Sequence, residues 1–132
     1  MKTNVIIDTN FLLIPAQFKV DIFDEIGRIL ESQYELFIID KTVDELNNII
    51  EKQGGKDKAA AKMALQLLER YPITYLKTPE TERHLNVDKL ILKRVKGDKF
   101  IVATQDMALK RDLRRNNAQL IVLRQKKFLM LI

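Results

Sequence analysis

Four acidic residues stand where the folded chain could bring their carboxylates together. Two follow short apolar runs typical of buried strands, and two stand near the starts of predicted helices. The four are Asp8, Glu45, Asp88 and Asp106. Parallel strands end at one edge of a sheet, and ligands of open α/β sheets bind at that edge. We therefore expect the four side chains to converge there.

Carboxylates gathered in one place indicate a bound cation, because like charges repel one another until a metal ion neutralises them. The chain has no cysteine and a single histidine, His84. Zinc sites and Ser-His-Asp catalysis are therefore disfavoured, and oxygen ligands suit Mg²⁺ or Mn²⁺. The net charge of +5 favours a polyanionic partner. Together these features predict phosphodiester hydrolysis, in which one ion activates a water and a second steadies the leaving oxygen.

Each acid alone also has a structural explanation. The segment 42–45, Thr-Val-Asp-Glu, fits a capping box in which Glu45 ties down the start of a helix. Asp88 and Asp106 could each cap a helix N-terminus, an interaction worth about 1 kcal/mol. For any single residue the structural interpretation is at least as good as the functional one. It is the set of four that favours a metal site.

Basic residues flank the last acid and could bind the phosphates of a nucleic acid. One group precedes the apolar run at 100–103, and the other lies on the helix that begins at Asp106. The alternative for each residue is an ordinary solvated helix face. The two groups are Lys93, Arg94, Lys96 and Lys99, and Lys110, Arg111, Arg114 and Arg115.

Strands and helices alternate along the chain and must position these residues. Apolar runs predict strands over 5–7, 36–39, 100–103 and 120–123, with a short one at 73–76. Helical periodicity predicts one or two turns closed by Pro15, and longer helices over 21–32, 43–53, 56–71, 88–96 and 106–116. This alternation predicts α/β architecture in three layers, α/β/α, with helices on both faces of a parallel sheet.

Length and composition predict one folded domain over residues 1–132, with 46% apolar and 31% charged residues. No signal peptide precedes the first strand, and no apolar run approaches the ~18 residues of a membrane helix. We therefore predict a cytoplasmic protein that does not contact a membrane. The C-terminal residues could form a strand, part of the core, or a surface for a homodimer or partner protein. They are Leu129, Met130, Leu131 and Ile132.

These motifs resemble the PIN-domain (PilT N-terminus) nuclease family. The family has an Asp after the first strand, here Asp8, and a Thr/Ser-x-Asp after a later strand, here Thr104-Gln-Asp106. Between them come a Glu before a leucine, here Glu45, and an Asp three residues before an aliphatic residue, here Asp88. All four occur in the family's order, and the match covers nearly the whole chain.

The resemblance implies a PIN-like fold with about four or five parallel strands, and an endoribonuclease that uses one or two Mg²⁺ or Mn²⁺ ions. The four acids would be the metal ligands and catalytic residues, with Asn10 and Thr104 orienting them through hydrogen bonds. The segment 123–127, Leu-Arg-Gln-Lys-Lys, is most similar to the archaeal and eukaryotic branch that processes rRNA. An rRNA precursor is therefore the implied substrate. That branch carries two acids before the later helix, and Val87 replaces the first.

Two alternatives remain open. One is a VapC-type toxin ribonuclease, which a small antitoxin gene immediately upstream would favour. The other is a catalytically weak RNA-binding module, which RNA binding without metal-dependent cleavage would favour. Phosphatases of the haloacid-dehalogenase type are disfavoured, because they need an acid where Asn10 stands. Response-regulator receivers are disfavoured because their order of acids is absent.

Overall fold

The computed structural model describes residues 2–132, which form one six-stranded sheet with helices on both faces. The strands are β1 (Thr3–Ile7), β2 (Tyr34–Ile39), β3 (Ile73–Leu76), β4 (Ile101–Ala103), β5 (Leu120–Arg124) and β6 (Phe128–Leu131). The α-helices are α1 (Ile14–Phe18), α2 (Ile22–Ile29), α3 (Lys41–Lys52), α4 (Gly55–Arg70), α5 (Val87–Gly97) and α6 (Met107–Arg115). The predicted three-layer α/β architecture is confirmed. None of the helices in this range is long and apolar enough to cross a membrane.

The strands lie in the order β3-β2-β1-β4-β5-β6, and the first five are parallel. The chain builds the sheet outward from β1 to β2 and β3, and then returns to place β4 on the other side of β1. The position between β1 and β4 is therefore a topological switch point, where a crevice opens at the carboxyl ends of the strands.

The core lies on both faces of β1. Val5 and Ile7 pack into a cluster with residues of α1 to α4, whereas Ile6 packs into a second cluster with α5 and α6. All three side chains are 0% exposed. Burying each of them contributes on the order of 1.5–3 kcal/mol, which makes β1 the rigid base on which the following acid is mounted.

The chain after β1 differs from the prediction. A 3₁₀ turn covers Thr9–Leu13, and Pro15 lies in the first turn of α1 instead of closing a helix. Proline suits that position because the first N–H groups of a helix have no intrahelical acceptor. The helix ends at Lys19, whose φ of 56° lies in the left-handed region.

The C-terminal tail forms β6, which pairs antiparallel with β5, so the sheet is mixed and not purely parallel. Of the three interpretations of the tail, the strand and the core both apply, since Leu129 is 1% exposed in the first core cluster. Met130, the next residue, points the other way and is 45% exposed. The connection is a tight turn in which the Lys127 N–H donates to the Arg124 carbonyl at 3.0 Å.

The free edge of β6 is covered at Leu129 by two side chains of α2. The Leu129 N–H donates to Glu25 Oε1 at 2.9 Å, and the Leu129 carbonyl accepts from Arg28 Nη2 at 3.1 Å. The two side chains are one helical turn apart and are themselves paired, with Arg28 Nε 2.7 Å from Glu25 Oε2. They occupy the backbone groups that another strand would otherwise use.

Candidate active site

Asp8 stands at the switch point, directly after β1. Its backbone N–H donates to the Ala103 carbonyl at 3.0 Å, which extends the pairing of β1 with β4 by one residue. Its carboxylate accepts from the Thr9 N–H at 2.8 Å and from the Thr104 hydroxyl at 3.0 Å. The side chain is only 2% exposed, so it is fixed by two hydrogen bonds in a nearly solvent-free position.

The surroundings of Asp8 oppose its negative charge. Burial raises the pKa of this carboxyl most, and the charges of Asp88 and Glu45 raise it further. The hydrogen bonds from Thr104 and Thr9 act in the opposite direction, but the net pKa is about 7. A buried carboxylate that other carboxylates destabilise would be stabilised by a nearby cation.

Thr104 connects Asp8 to Asp106. Its hydroxyl donates to Asp8 Oδ2 and accepts from the Asp106 N–H at 3.1 Å. Asp106 is the N-cap of α6, with Oδ1 accepting from the Leu109 N–H at 2.8 Å. The structural interpretation of Asp106 as a cap is therefore correct for one of its two oxygens. Within residues 2–132, the other oxygen accepts no hydrogen bond from the protein.

Glu45 is held by Thr9 and does not form a capping box. Asp40 is the N-cap of α3, so Glu45 lies in the second turn of the helix and not in the first, and Thr42 is not a cap. The Thr9 hydroxyl donates to Glu45 Oε1 at 2.5 Å and lies 3.3 Å from the hydroxyl of Thr42. Thr9 and Thr42 are both buried. One threonine thus links the backbone next to Asp8 with the second acid.

Asp88 lies in the first turn of α5, where Asn86 is the N-cap through a 3.0 Å bond from the Lys89 N–H. The capping interpretation of Asp88 is therefore wrong. The side chain is half-buried, and its pKa is raised by burial first, and then by the charges of Asp106 and Glu45. The neighbouring Val87 is 1% exposed in the second core cluster. Hydrophobic packing therefore accounts for the apolar residue at that position.

The four acids form one electrostatic group. Asp8 is affected by Asp88 and Glu45, and Asp88 is affected by Asp106 and Glu45. In the part of the chain that the structure describes, no three His, Cys, Asp or Glu side chains are already arranged to hold an ion. Binding would require the side chains to rotate toward it. The donor chemistry, all carboxylate oxygen around a buried acid of raised pKa, fits a hard divalent cation.

The residues predicted to orient the acids differ in their contacts. Thr104 is 0% exposed and contacts both Asp8 and Asp106. Asn10 is exposed, and no hydrogen bond of residues 2–132 involves its side chain. Thr9 was not predicted at all. Its contact with Glu45 joins residues 36 positions apart, and no local sequence pattern predicts such a contact.

The predicted basic residues divide between the two edges of the sheet. Lys110 lies one turn after Asp106, and burial lowers its pKa most, followed by the charges of Arg124 and Arg114. Arg111, Arg114 and Arg115 are exposed along the rest of α6, and Arg115 lies 3.9 Å from Asp112.

The group before β4 is itself divided, because Lys93 and Arg94 contact residues that follow β3 at the carboxyl edge. Lys96 and Lys99 line a cleft of about 1230 Å³ at the amino edge of the sheet, together with Lys2, and so do not lie beside the acids. Lys93 pairs with Glu82 at 2.7 Å, and Arg94 donates to the Lys77 carbonyl. The amino-edge cleft contains none of the four acids.

Comparisons with known proteins agree with this architecture. The PIN-like domain family matches residues 5–126. Ribonuclease VapC4 of Methanocaldococcus jannaschii is 32% identical over 127 residues, which cover 94% of this chain and 92% of the relative. Ribonuclease VapC9 of Archaeoglobus fulgidus is 28% identical over 123 residues, covering 92% and 84%. The structure of the PIN domain endonuclease Utp24 has a TM-score of 0.77 and 25% identity, covering 97% of this chain and 90% of that one.

The family match spans most of the sequence, and the relatives are covered over most of their length. The matched residues 5–126 include all four acids. The protein therefore belongs to the PIN-domain nuclease family.

Proposed function

We propose that this protein is a divalent-metal-dependent endoribonuclease that hydrolyses RNA phosphodiester bonds, with Asp8, Glu45, Asp88 and Asp106 as ligands of Mg²⁺ or Mn²⁺. The observation that carries the proposal is the state of Asp8. This carboxyl caps the 3₁₀ turn that follows β1, but it does so buried at the switch point and destabilised by neighbouring carboxylates. Perturbed acids in such a crevice are candidates for catalysis.

The chain's own residues prepare the site. Thr104 and the Thr9 N–H fix the Asp8 carboxylate, and the Thr9 hydroxyl fixes Glu45. When bound, a divalent cation supplies Lewis-acid activation of water and neutralises charge on the phosphate. Lys110, one turn along α6 from Asp106, and the arginines beyond it would bind RNA phosphates.

The relatives support RNA as the substrate, because two of them are named ribonucleases and a third is named an endonuclease. The biological setting has two candidates. The strand-end motifs and segment 123–127 favour rRNA processing, whereas the two relatives that carry the VapC name favour a toxin-type ribonuclease.

Cleavage assays on structured and single-stranded RNA, with Mn²⁺ and with EDTA, test the enzymatic proposal. Wild type should cut RNA only with the metal, and Asp8→Asn should lose more than about 100-fold of the rate, since losing even an outer partner of a metal ligand costs 10–100-fold. Asp40→Asn is the matched control, because Asp40 follows β2 as Asp8 follows β1. Equal activity in wild type and Asp8→Asn would overturn the proposal.

Thermal melts add a measurement that does not depend on activity. Mn²⁺ at about 100 times its Kd should stabilise wild type by about 2.7 kcal/mol, and should stabilise Asp8→Asn by less. RNA binding with neither a metal response nor cleavage would favour the RNA-binding module.

Measurements of cell growth and of cellular rRNA distinguish a toxin-type ribonuclease from an rRNA-processing enzyme. Growth arrest on expression of wild type but not Asp8→Asn, relieved by the product of an adjacent gene, would favour the toxin. Accumulation of an uncut rRNA precursor when the gene is deleted would favour processing.

A further inference from the structure

The turn between β5 and β6 lies at the same edge of the sheet as the acids. Because β5 is parallel to β4 and β1, its last residue, Arg124, ends where Asp8 and Thr104 stand. Strand spacing puts the turn about 10 Å, or two strands, from β1. It is thus close enough to contact the same extended ligand.

A side-chain bond ties this turn to the acid site. Gln105 stands between Thr104 and Asp106, and its Oε1 accepts from the Leu123 N–H at 2.8 Å. The residue before Arg124 is therefore anchored to the loop that carries one of the acids. The Thr104 N–H donates to the Ile121 carbonyl at 3.2 Å and fixes the same two segments a second time.

The turn presents three unpaired cations. Arg124, Lys126 and Lys127 are exposed, and no ion pair formed within residues 2–132 involves any of them. Only five basic side chains of the described residues have an acidic partner, so these three are distinguished by their position at the edge that holds the acids. Unpaired cations beside a group of acids attract a polyanion electrostatically and offset the repulsion that the acids exert on it.

The backbone of the turn adopts a conformation that these residue types rarely take. Gln125 and Lys126 have φ values of 53° and 58°, so two consecutive residues with side chains are left-handed. Glycine and asparagine adopt this conformation at lower cost and are the usual residues of such turns. Residues held in unfavourable backbone regions cluster at functional sites. Lys126 places a charge at the tip of this turn.

Lys110 makes the turn continuous with α6. It is partly buried, and the charges of Arg124 and Arg114 act on it from the strand end and from the next helical turn. The positive surface therefore extends from one turn beyond Asp106 to the tip at Lys126.

We propose that the β5–β6 turn, through Arg124, Lys126 and Lys127 together with Lys110, binds the phosphates of RNA beside the cleaved bond. The proposal rests on the proposed function, since it takes RNA as the ligand of the acid site. It adds a binding element outside α6, and places the RNA backbone across the ends of β4 and β5.

Binding to a labelled single-stranded RNA in EDTA, on the Asp8→Asn background, tests the turn independently of cleavage. The variant is Arg124→Gln, Lys126→Gln, Lys127→Gln. Its matched control is Lys2→Gln, Lys96→Gln, Lys99→Gln, which removes equal charge at the opposite edge. Three lost contacts should lower the log–log salt slope by about 2, so that wild type loses about 20-fold more affinity than the variant between 50 and 200 mM salt. The control should keep the wild-type slope.

A wild-type slope in the turn variant, or an equal fall in both triple variants, would overturn the proposal. If the triple variant does not fold, Lys126→Gln with Lys127→Gln spares the paired strands and should lower the slope by about 1.4. In Mn²⁺, with an otherwise wild-type sequence, the turn variant should raise KM and keep kcat within about threefold, because it loses binding common to ground and transition states.

The two proposals can fail separately. A turn-dependent slope in a protein that does not cleave RNA would support the binding proposal and contradict the proposed function. Metal-dependent cleavage with a turn-independent slope would support the proposed function and contradict the binding proposal.

Discussion

Two neighbouring strands end in an aspartate, and the two acids have opposite properties. Asp8 and Asp40 each follow a buried apolar strand, and each accepts from the next backbone N–H and from a threonine hydroxyl. Burial raises the pKa of Asp40 as it does for Asp8. For Asp40, however, the hydrogen bonds from Thr78 and Lys41 and the charge of Arg83 outweigh burial and hold the pKa below its usual range.

The difference lies in what surrounds each acid beyond its hydrogen bonds. Asp8 is more deeply buried and faces Asp88 and Glu45, whereas Asp40 is nearer the surface and faces a guanidinium. Asp40 therefore stabilises the fold as an anion, capping α3 and holding Thr78. Asp8 destabilises the metal-free fold when ionised. An acid at a strand end is therefore a structural cap when its charged neighbours are positive, and a functional candidate when they are negative.

The largest expected effect is the pH dependence of the metal-free protein. Below about pH 4 Asp8 is protonated in both the folded and the unfolded chain. Between its ordinary pKa of 3.8 and the folded value of about 7, the unfolded chain ionises while the folded one keeps the proton. Stability should therefore fall as pH rises across this window, by at most about 4 kcal/mol, and then level off.

Urea unfolding in EDTA at pH 4 to 8 measures that dependence. Asp8→Asn should reduce the slope in this window, leaving the part that comes from the raised pKa of Asp88, and should be as stable as wild type or more stable at pH 8. Asp40→Asn should retain the slope. If Asp8→Asn were less stable at pH 8 and kept the same slope, Asp8 would be a structural acceptor like Asp40, and the comparison would fail.

The next effect concerns Asp40 itself. Asp40→Asn should destabilise the protein by about 1–3 kcal/mol at pH 7, because the bonds to Thr78 and Lys41 lose a charged acceptor. Since its folded pKa is lowered, this contribution is present above pH 3.8 and is lost as pH falls below it. Asp44→Asn, at an exposed position of the same helix, should change stability by less than about 0.5 kcal/mol.

The smallest expected effect comes from removing a single hydroxyl group, either at the acid site or on β3. Thr9→Val keeps the shape of the side chain but removes the bond that holds Glu45, and should lower the Mn²⁺-dependent cleavage rate about tenfold. It should also raise the Mn²⁺ concentration needed for half-maximal activity. Thr74→Val removes a similar Thr–Glu bond, to Glu35 at 2.7 Å, on β3. It should leave both quantities unchanged, and an equal loss in the two variants would contradict a positioning role for Thr9.

The parallel strands were predictable because burial on both faces requires unbroken apolar runs such as Val5–Ile7. The antiparallel β6 could be stated only as one of three alternatives. Its turn contains no glycine, proline or asparagine, and its residues alternate between buried Leu129 and exposed Met130 over only four positions. An alternation over four residues is too short to distinguish a strand from an irregular C-terminal segment.

The candidate site was less predictable than the fold. Strand ends and helix starts located the four acids along the chain, but Asp8 and Asp40 look alike in the sequence, and only tertiary neighbours separate them. The predicted capping box at Glu45 is wrong, because the helix is capped by Asp40, two residues before Thr42. The role of Thr9 depends on a contact between distant segments, which local patterns do not encode.

The closure of β6 by Glu25 and Arg28 has a consequence for how the protein reaches its folded state. The bond from the Leu129 N–H to Glu25 spans 104 positions, so it forms only after most of the chain has been made and brought together. Until then, the outermost strand presents unpaired backbone groups that can recruit a strand of another molecule. The α2–β6 contact therefore protects the backbone of Leu129 from strand addition only once these distant segments of the chain have met.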